Sequence, residues 1–212
     1  NRLASEVYCK IYHNVFGLDT VSFRITNSFG PREQYIPNKN AVNFLIYRAF
    51  KGENITIYDK GEFFRDLIYV SDVVNAISLL IKKGKSGNLY WISSGEKTWF
   101  YQLGKWLEEL TSAKVKFVKS PLYAKKTDVG NFVADNSKLK SLGWKKTVTV
   151  KDGIKKVLEF MEKNKTIKNY KRKKVMEYKG SCHCGQVKLV VEGELTEVLS
   201  CNCSICQKKG SL

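Results

Sequence analysis

Apolar residues along the first 163 positions alternate between the spacing of helices and the spacing of strands. One helix face is predicted by Val73, Val74, Ile77, Leu80 and Ile81, and Ser71 or Asp72 is placed to cap that helix. Further helices are predicted around 44–46, 100–110 and 154–161, and a first helix ends at 17–19. Strands are predicted at 20–25, 55–58, 89–92 and 115–117. This alternation predicts an α/β domain with at least some parallel sheet.

The composition changes after residue 163. Eight Lys and Arg residues lie from Lys163 to Lys179, against one acid, Glu177. Such a run predicts a solvated linker over 164–175, with a nucleic-acid contact as the alternative. Residues 186–191 then alternate in polarity and 192–194 predict a turn, as in a β-rich segment. We therefore expect a domain at 1–163, a basic linker at 164–175 and a cysteine-rich segment at 176–212.

The overall composition restricts the class of protein. Hydrophobic residues make up 43% of the chain, which is enough for a packed core and excludes wholesale disorder. No stretch approaches the ~20 apolar residues of a membrane span, and no signal-peptide pattern opens the sequence. The sequence therefore predicts a cytoplasmic protein without a membrane partner. The net charge of +17 favours anionic partners.

Three segments of the first domain carry a family resemblance. They are RITNSFGPR at 24–32, FRDLIYVSDVV at 64–74, and a tail with TD at 127–128, AD at 134–135 and LGW at 142–144. In this order they resemble the extended short-chain dehydrogenases/reductases, the NAD-dependent nucleotide-sugar epimerases and dehydratases. The resemblance covers residues 1–163 and implies the C-terminal half of a Rossmann-type domain with its substrate-binding subdomain.

The same resemblance assigns a cofactor to the full-length parent only. No G-x-G-x-x-G occurs in the chain, so a dinucleotide fingerprint is absent from the sequence. Counting back from Glu6 places the family's catalytic lysine at Arg2, and its tyrosine would precede Asn1. We therefore expect NAD(P) binding in the parent and no turnover by this chain alone.

The resemblance also implies the residues that bind the substrate. Asn27 is expected at the edge of a nucleotide-sugar site, and Arg65 is expected to bind the substrate diphosphate. A second phosphate-binding position falls on Lys125. A local ion pair between Arg65 and Asp66 is the alternative role for Arg65, and Arg24 is expected to be structural. Members of the family pair through a helix bundle that includes the opening segment, so a homodimer is one expected assembly.

Five of the six cysteines lie close together near the end of the chain, at Cys182, Cys184, Cys201, Cys203 and Cys206. Their spacing, C-x-C followed by C-x-C-x-x-C, is typical of zinc thiolate sites, since zinc takes four tetrahedral ligands. Free thiols, or a single structural zinc with one spare cysteine, are the alternatives.

The segments GSCHCG at 180–185 and CNCSICQKKGS at 201–211 resemble the CENP-V/glutathione-dependent formaldehyde-activating enzymes. These are β-rich zinc modules classed with carbon–sulfur lyases, and 176–212 would cover only the first part of one. The resemblance implies that Cys201, Cys203 and Cys206 hold a catalytic Zn²⁺ with one open position for a glutathione-type thiol. It implies that Cys182 and Cys184 are half of a structural zinc site.

Three classes of function follow from these observations. The first is a composite chain that joins a nucleotide-sugar epimerase/dehydratase half to a formaldehyde-activating zinc segment, incomplete for either reaction. A zinc-stabilised basic protein that binds nucleic acid is a less favoured alternative, and an interaction product without activity is the third. Asn1 in place of Met, together with Met176 at the start of the second resemblance, indicates a piece of a larger product or two joined reading frames.

Overall fold

The computed structural model describes residues 2–33, 35, 40–121, 130–164, 176–181 and 188–193, and no side chain of residue 2 or of 176–193. The chain divides into two compact units, Asn1–Lys163 and Asn164–Leu212. Each unit is described by itself below.

The helices described in the first unit lie close to the positions that the sequence predicts, except for a short helix at 137–141 that the sequence analysis does not predict. They are α1 (Arg2–Phe16), α2 (Ala41–Phe50), α3 (Val70–Lys83), α4 (Phe100–Leu110), α5 (Ser137–Ser141) and α6 (Val150–Lys163). Helix α1 ends at a glycine: Gly17 has φ 65°, and its N–H donates to the His13 carbonyl over 3.0 Å. A left-handed glycine is the common way to close a helix, so the predicted end of α1 is confirmed.

The strands of the first unit are short and pair mostly in parallel. They are β1 (Ser22–Ile25), β2 (Asn27–Phe29), β3 (Ile55–Tyr58), β4 (Phe64–Arg65), β5 (Leu67–Tyr69), β6 (Leu89–Ile92), β7 (Thr98–Trp99) and β8 (Val115–Val118). Parallel pairs form between β1 and β6, β2 and β5, and β3 and β8, whereas β4 and β7 are antiparallel. The predicted α/β class with parallel sheet is confirmed.

Two apolar cores support these strands. The larger core lies between α2, α4 and α6 on one side and β2, β3 and β5 on the other, and includes the buried Ile46, Ile57 and Ile154. The smaller core packs α3 and α5 against β6, around Ile92 and Trp144. Strand β5 carries residues in both cores, because Leu67 lies in the larger and Ile68 in the smaller. The segment that contains Arg65 is therefore fixed from two sides.

The predicted cap of α3 is wrong. The helix begins directly after β5, with Tyr69 in the capping position and no side chain capping it. Asp72 lies inside the first turn, where it is fully buried and accepts hydrogen bonds from the backbone of Thr147 and Val148 over 3.1 and 3.0 Å. Its carboxylate therefore holds the segment that precedes α6 rather than the free amides of its own helix.

In the second unit the structure describes an antiparallel hairpin. Strand β9 (Met176–Ser181) pairs with β10 (Lys188–Gly193), with Ser181 opposite Lys188 and Met176 opposite Gly193. The turn predicted at 192–194 is wrong for its first two residues, which lie in β10. The basic linker beyond residue 164 and all five clustered cysteines lie outside the described residues.

Candidate functional site

Arg65, the predicted phosphate-binding residue, lies where three segments meet. Its backbone pairs with Thr98 of β7 and forms a parallel bridge to Phe132. The guanidinium carbon lies 5.3 Å from the ring centroid of Phe63, and Nη1 donates to the Phe64 carbonyl over 2.8 Å. Ring stacking and a backbone acceptor together orient the planar guanidinium.

Asp66, the next residue, is a fully buried carboxylate that connects four segments. Its Oδ1 accepts from the backbone N–H and the hydroxyl of Ser94 over 2.9 and 2.8 Å, and from the Thr26 hydroxyl over 3.2 Å. Its Oδ2 accepts from the Ala134 N–H over 3.1 Å. A buried charge requires such partners. The sequence-based alternative assigned Asp66 to an ion pair with Arg65, whereas these contacts show that it anchors the backbone on either side of the site.

Asn27 begins β2 and adjoins the same point. Its backbone N–H donates to the Asp66 carbonyl over 3.1 Å, and its exposed side chain lies 3.5 Å from that oxygen. The structure thus places two of the three predicted substrate-binding residues next to Asp66: Asn27 on β2 is hydrogen-bonded to its carbonyl, and Arg65 on β4 precedes it in the chain. The third, Lys125, lies outside the described residues.

A polar cluster that the sequence analysis missed holds the loop after β2. Asn43 is fully buried; its Oδ1 accepts from the Gly30 N–H over 3.4 Å and its amide donates to Glu33. Asn40 donates to the same Glu33 carboxylate and to the Ser28 carbonyl, each over 2.9 Å. Its Oδ1 also caps α2 by accepting from the Asn43 N–H. The Asn40 cap was the available signal, since Asn is a favoured residue at a helix start.

Arg24 has the structural role expected of it. Its guanidinium donates to both carboxylate oxygens of Glu6 over 2.8 Å, and it lies 5.3 Å from the ring centroid of Trp91. The hydrogen bonds from Arg24 hold the pKa of Glu6 below its ordinary value, and Glu6 in turn raises the pKa of Arg24. The pair fastens α1 to β1.

The remaining predicted site residues are less constrained by the structure. Arg2 is the first residue of α1, and its side chain is not among those described.

Within the described ranges no group of three or more His, Cys, Asp or Glu could hold a metal ion, and Cys9 is a free thiol. None of the described helices combines the length and the apolar character needed to cross a membrane.

Two family models match the chain. Residues 1–93 match the NAD dependent epimerase/dehydratase family, and residues 177–211 match the glutathione-dependent formaldehyde-activating enzyme. Both resemblances inferred from the motifs are confirmed. The second match contains all five clustered cysteines.

Curated relatives of the first unit are sugar-nucleotide enzymes. A putative UDP-glucose 4-epimerase of Methanocaldococcus jannaschii is 26% identical over 166 residues, which are 77% of this chain and 52% of that protein. A dTDP-glucose 4,6-dehydratase of Actinoplanes is 26% identical over 78% of this chain and 51% of that protein. The chain thus spans about half the length of these relatives.

Solved structures agree with the sequence matches. The UDP-glucose 4-epimerase of Thermotoga maritima, solved with UDP-glucose, has a TM-score of 0.69 and 29% identity, covering 78% of this chain and 52% of that one. The UDP-glucose 4-epimerase of Thermus thermophilus, solved with NAD, has a TM-score of 0.65 and 25% identity, covering 75% and 51%. The first unit therefore has a Rossmann-like α/β fold, and the chain is similar to the NAD dependent epimerase/dehydratase family over residues 1–93 and to the glutathione-dependent formaldehyde-activating enzyme over residues 177–211.

Proposed function

We propose that the first unit is the substrate-side half of a nucleotide-sugar epimerase or dehydratase, and that Asn27 and Arg65 bind the diphosphate of the substrate. The observation that supports this proposal most directly is the buried Asp66, since Arg65 precedes it in the chain and Asn27 is hydrogen-bonded to its carbonyl. A guanidinium presents parallel N–H donors that match two phosphate oxygens, and an amide adds a neutral donor. Lys125 would add a second positive charge to the same diphosphate.

The described residues do not form the kind of site that the family uses for its nicotinamide cofactor. A dinucleotide site needs a glycine-rich turn between a strand and a helix. In the described part of the chain, β5 runs directly into α3 and β7 directly into α4, without an intervening glycine. We therefore assign NAD binding to the half of the relatives that this chain does not match, and derive no hydride-transfer step for the chain itself.

Calorimetric titration with UDP tests the nucleotide site. Removal of the Arg65 charge in Arg65→Gln should weaken UDP binding at least tenfold, since a charge-assisted hydrogen bond contributes about 1.5–3 kcal/mol. Arg65→Lys keeps the charge without the planar guanidinium, so its affinity for UDP should lie between those of the wild type and Arg65→Gln. Arg48→Gln is the matched control, because Arg48 lies on α2 and pairs with Glu53 rather than with Asp66 or its neighbours. Equal loss of affinity in Arg48→Gln and Arg65→Gln would contradict the site.

We further propose that the C-terminal segment binds zinc. The family match at 177–211 and the thiolate-rich donor set support this assignment. Cys201, Cys203 and Cys206 would leave one position open for a glutathione-type thiol, and Cys182 and Cys184 would form half of a structural site. Bound zinc supplies Lewis-acid stabilisation of a thiolate. Because free thiols persist in a reducing compartment, a cytoplasmic location would favour zinc loading.

Elemental analysis of the purified chain tests the zinc proposal. We expect about one firmly held zinc ion per chain, and Cys203→Ser should release most of it because a ligand is removed. Cys9→Ser is the control, since Cys9 lies in α1 and is a free thiol. A chain without zinc, or equal zinc in both variants, would contradict the assignment.

A further inference from the structure

Three aromatic side chains form a row along the antiparallel pair β4–β7 and the first turn of α4. Phe64 lies opposite Trp99 in the strand register, and their ring centroids are 5.1 Å apart. The ring centroid of Tyr101 follows at 5.9 Å from that of Trp99. Phe64 and Trp99 are partly exposed, and Tyr101 is 38% exposed. These three residues are called the aromatic row below.

The chain neighbours of the row fix it to the larger core. Phe63 and Phe100 stack on each other with ring centroids 4.4 Å apart, and both belong to that core. The Phe100 N–H also donates to the Phe63 carbonyl over 3.0 Å. Because successive side chains of extended backbone point to opposite sides, Phe64 and Trp99 face away from the core. The row is thus held in place before any ligand binds, which lowers the entropic cost of binding.

Lysine side chains lie at both ends of the aromatic row. The Lys97 Nζ is 5.0 Å from the ring centroid of Phe64, and the Lys105 Nζ is 6.0 Å from that of Tyr101. Both lysines are exposed. Ammonium groups at these distances are attracted to the ring faces. Each end of the row therefore presents a positive charge to solvent beside an aromatic ring.

A turn against the row presents a third lysine. Lys60 is exposed in the turn Asp59–Gly61, where a Cβ on Gly61 would lie 2.4 Å from the backbone nitrogen of Tyr101. Asp59 and Lys60 have φ of 44° and 55°, a region that residues other than glycine rarely adopt. The Asp59 carboxylate holds the turn by accepting from the Ser120 N–H over 3.0 Å. Tertiary contacts therefore fix the backbone that carries Lys60.

The carboxylates near these lysines leave the surface positive. Glu96 pairs with Lys146, and Glu108 Oε1 accepts from the Val115 N–H over 2.9 Å. Glu62 is exposed and adds one negative charge. The aromatic row with its three lysines, called the aromatic–lysine surface below, consists of Lys60, Phe64, Lys97, Trp99, Tyr101 and Lys105. It offers flat apolar rings and positive charge side by side.

We infer that the aromatic–lysine surface binds single-stranded nucleic acid, with bases stacked on the rings and phosphates bound by the lysines. Aromatic rings alternating with cations are what a single strand requires, because every base has a flat face and every nucleotide a charge. The ring spacings of 5.1 and 5.9 Å exceed the rise of about 3.4 Å per base of a duplex, which favours an extended strand. A neutral glycan would stack on the rings but leave the ammonium groups without a counter-charge.

The aromatic–lysine surface is separate from the proposed diphosphate site. Phe64 and Arg65 are successive residues of β4, so their side chains lie on opposite sides of the strand. In the register Phe64 pairs with Trp99, whereas Arg65 pairs with Thr98. The inference therefore goes beyond the proposed function and does not rest on it.

Fluorescence anisotropy of a short labelled oligouridylate with the full chain tests the rings. Trp99→Ala should weaken binding at least about fivefold, since one stacking partner of a base is removed. Tyr12→Ala is the matched control, because Tyr12 is an exposed ring of α1 that pairs with Phe16. Ultraviolet cross-linking should attach uridine to Trp99 or Tyr101. Saturating UDP should leave the affinity for the oligouridylate unchanged.

The salt dependence of the same binding tests the lysines. Lys97→Gln should lower the slope of log K against log salt by about 0.7, the value for one phosphate contact on a single strand. Lys82→Gln should leave the slope unchanged, because Lys82 is exposed on α3. Since Lys97 is exposed as well, its variant tests the inference even where Trp99→Ala does not fold.

Four results would overturn the inference. They are the absence of binding at low salt, equal losses of affinity in Trp99→Ala and Tyr12→Ala, cross-links confined to residues outside the aromatic–lysine surface, and displacement of the oligouridylate by UDP. Polyphosphate, which has charge but no bases, is the comparison ligand. An affinity for polyphosphate that falls in Trp99→Ala as much as that for the oligouridylate would show that no base stacks on the row.

Discussion

Asp66 shows how one buried carboxylate organises the backbone around the proposed nucleotide site. It lies between Arg65, on β4, and Leu67, on β5, and accepts from Ser94, Thr26 and Ala134. A carboxylate directly before an apolar strand such as β5 indicates buried hydrogen-bond donors around it, because a buried charge must be compensated. The sequence shows that signal, but the partners lie 28 to 68 residues away and cannot be identified without the fold.

Asp66→Asn should destabilise the first unit. An amide in place of the carboxylate presents an N–H₂ group to at least one of the buried donors, which then lacks an acceptor. The expected cost is about 1–3 kcal/mol in the free energy of unfolding, measured by urea denaturation. The exposed Asp19→Asn is the control and should change stability by less than about 0.5 kcal/mol. Equal stability of the two variants would show that Asp66 is not an anchor.

The pair of Glu6 and Arg24 should make stability depend on acid pH. The folded-state pKa of Glu6 is lowered by the Arg24 hydrogen bonds, so the pair stabilises the fold fully above the ordinary Glu pKa of 4.5. That stabilisation is lost as the pH falls through the lowered pKa. The difference in Tm between the wild type and Glu6→Gln should therefore be constant near neutral pH and shrink in acid. A difference that grows on acidification would contradict the pairing.

At the scale of elements, the sequence predicts the long amphipathic helices well and the shortest strands poorly. Helices α3, α4 and α6 carry apolar residues at helical spacing over at least 11 residues each. Strands β2, β4 and β7 contain two or three residues, too few to show a period of two. They form because β5 and the segments around Asp66 fix their backbone, which is a tertiary effect.

Packing of α6 against the larger core provides a prediction at this scale. A Cβ on Gly153 would lie 2.7 Å from the Phe29 ring and 2.8 Å from the Tyr69 ring. Gly153→Ala should therefore destabilise the chain by about 1–3 kcal/mol despite the better helix propensity of Ala. Gly104→Ala in α4 is the matched control, because its closest neighbour is the flexible end of Ile57 at 2.8 Å. Thermal unfolding of both variants measures which is less stable. A Gly153→Ala variant more stable than Gly104→Ala would contradict the packing of α6.

At the scale of the whole molecule, the chain matches two different family models, and the sequence motifs alone indicate both. The proposed phosphate-binding residues lie in the first unit, whereas no G-x-G-x-x-G occurs in this sequence. Net charge was less informative. The value of +17 favours anionic partners of any kind, whereas the family motifs indicate one class of them, nucleotide sugars, as the ligands to test.

Binding and turnover should therefore separate in this chain. We expect UDP to bind to the purified 212-residue protein, and UDP-glucose to remain unconverted with NAD present. Chromatographic separation of the sugar nucleotides checks the second expectation. Measured conversion would show that the chain contains a complete active site.

The location of bound UDP tests the central claim most directly. Amide chemical shifts of the labelled chain, recorded during a UDP titration, should move at Asn27, Arg65 and Asp66, and stay unchanged at Arg48 of α2, which pairs with Glu53. Shifts that are absent at saturating UDP, or that cluster around residues remote from β2 and β4, would contradict the claim that this unit holds the diphosphate of a nucleotide sugar.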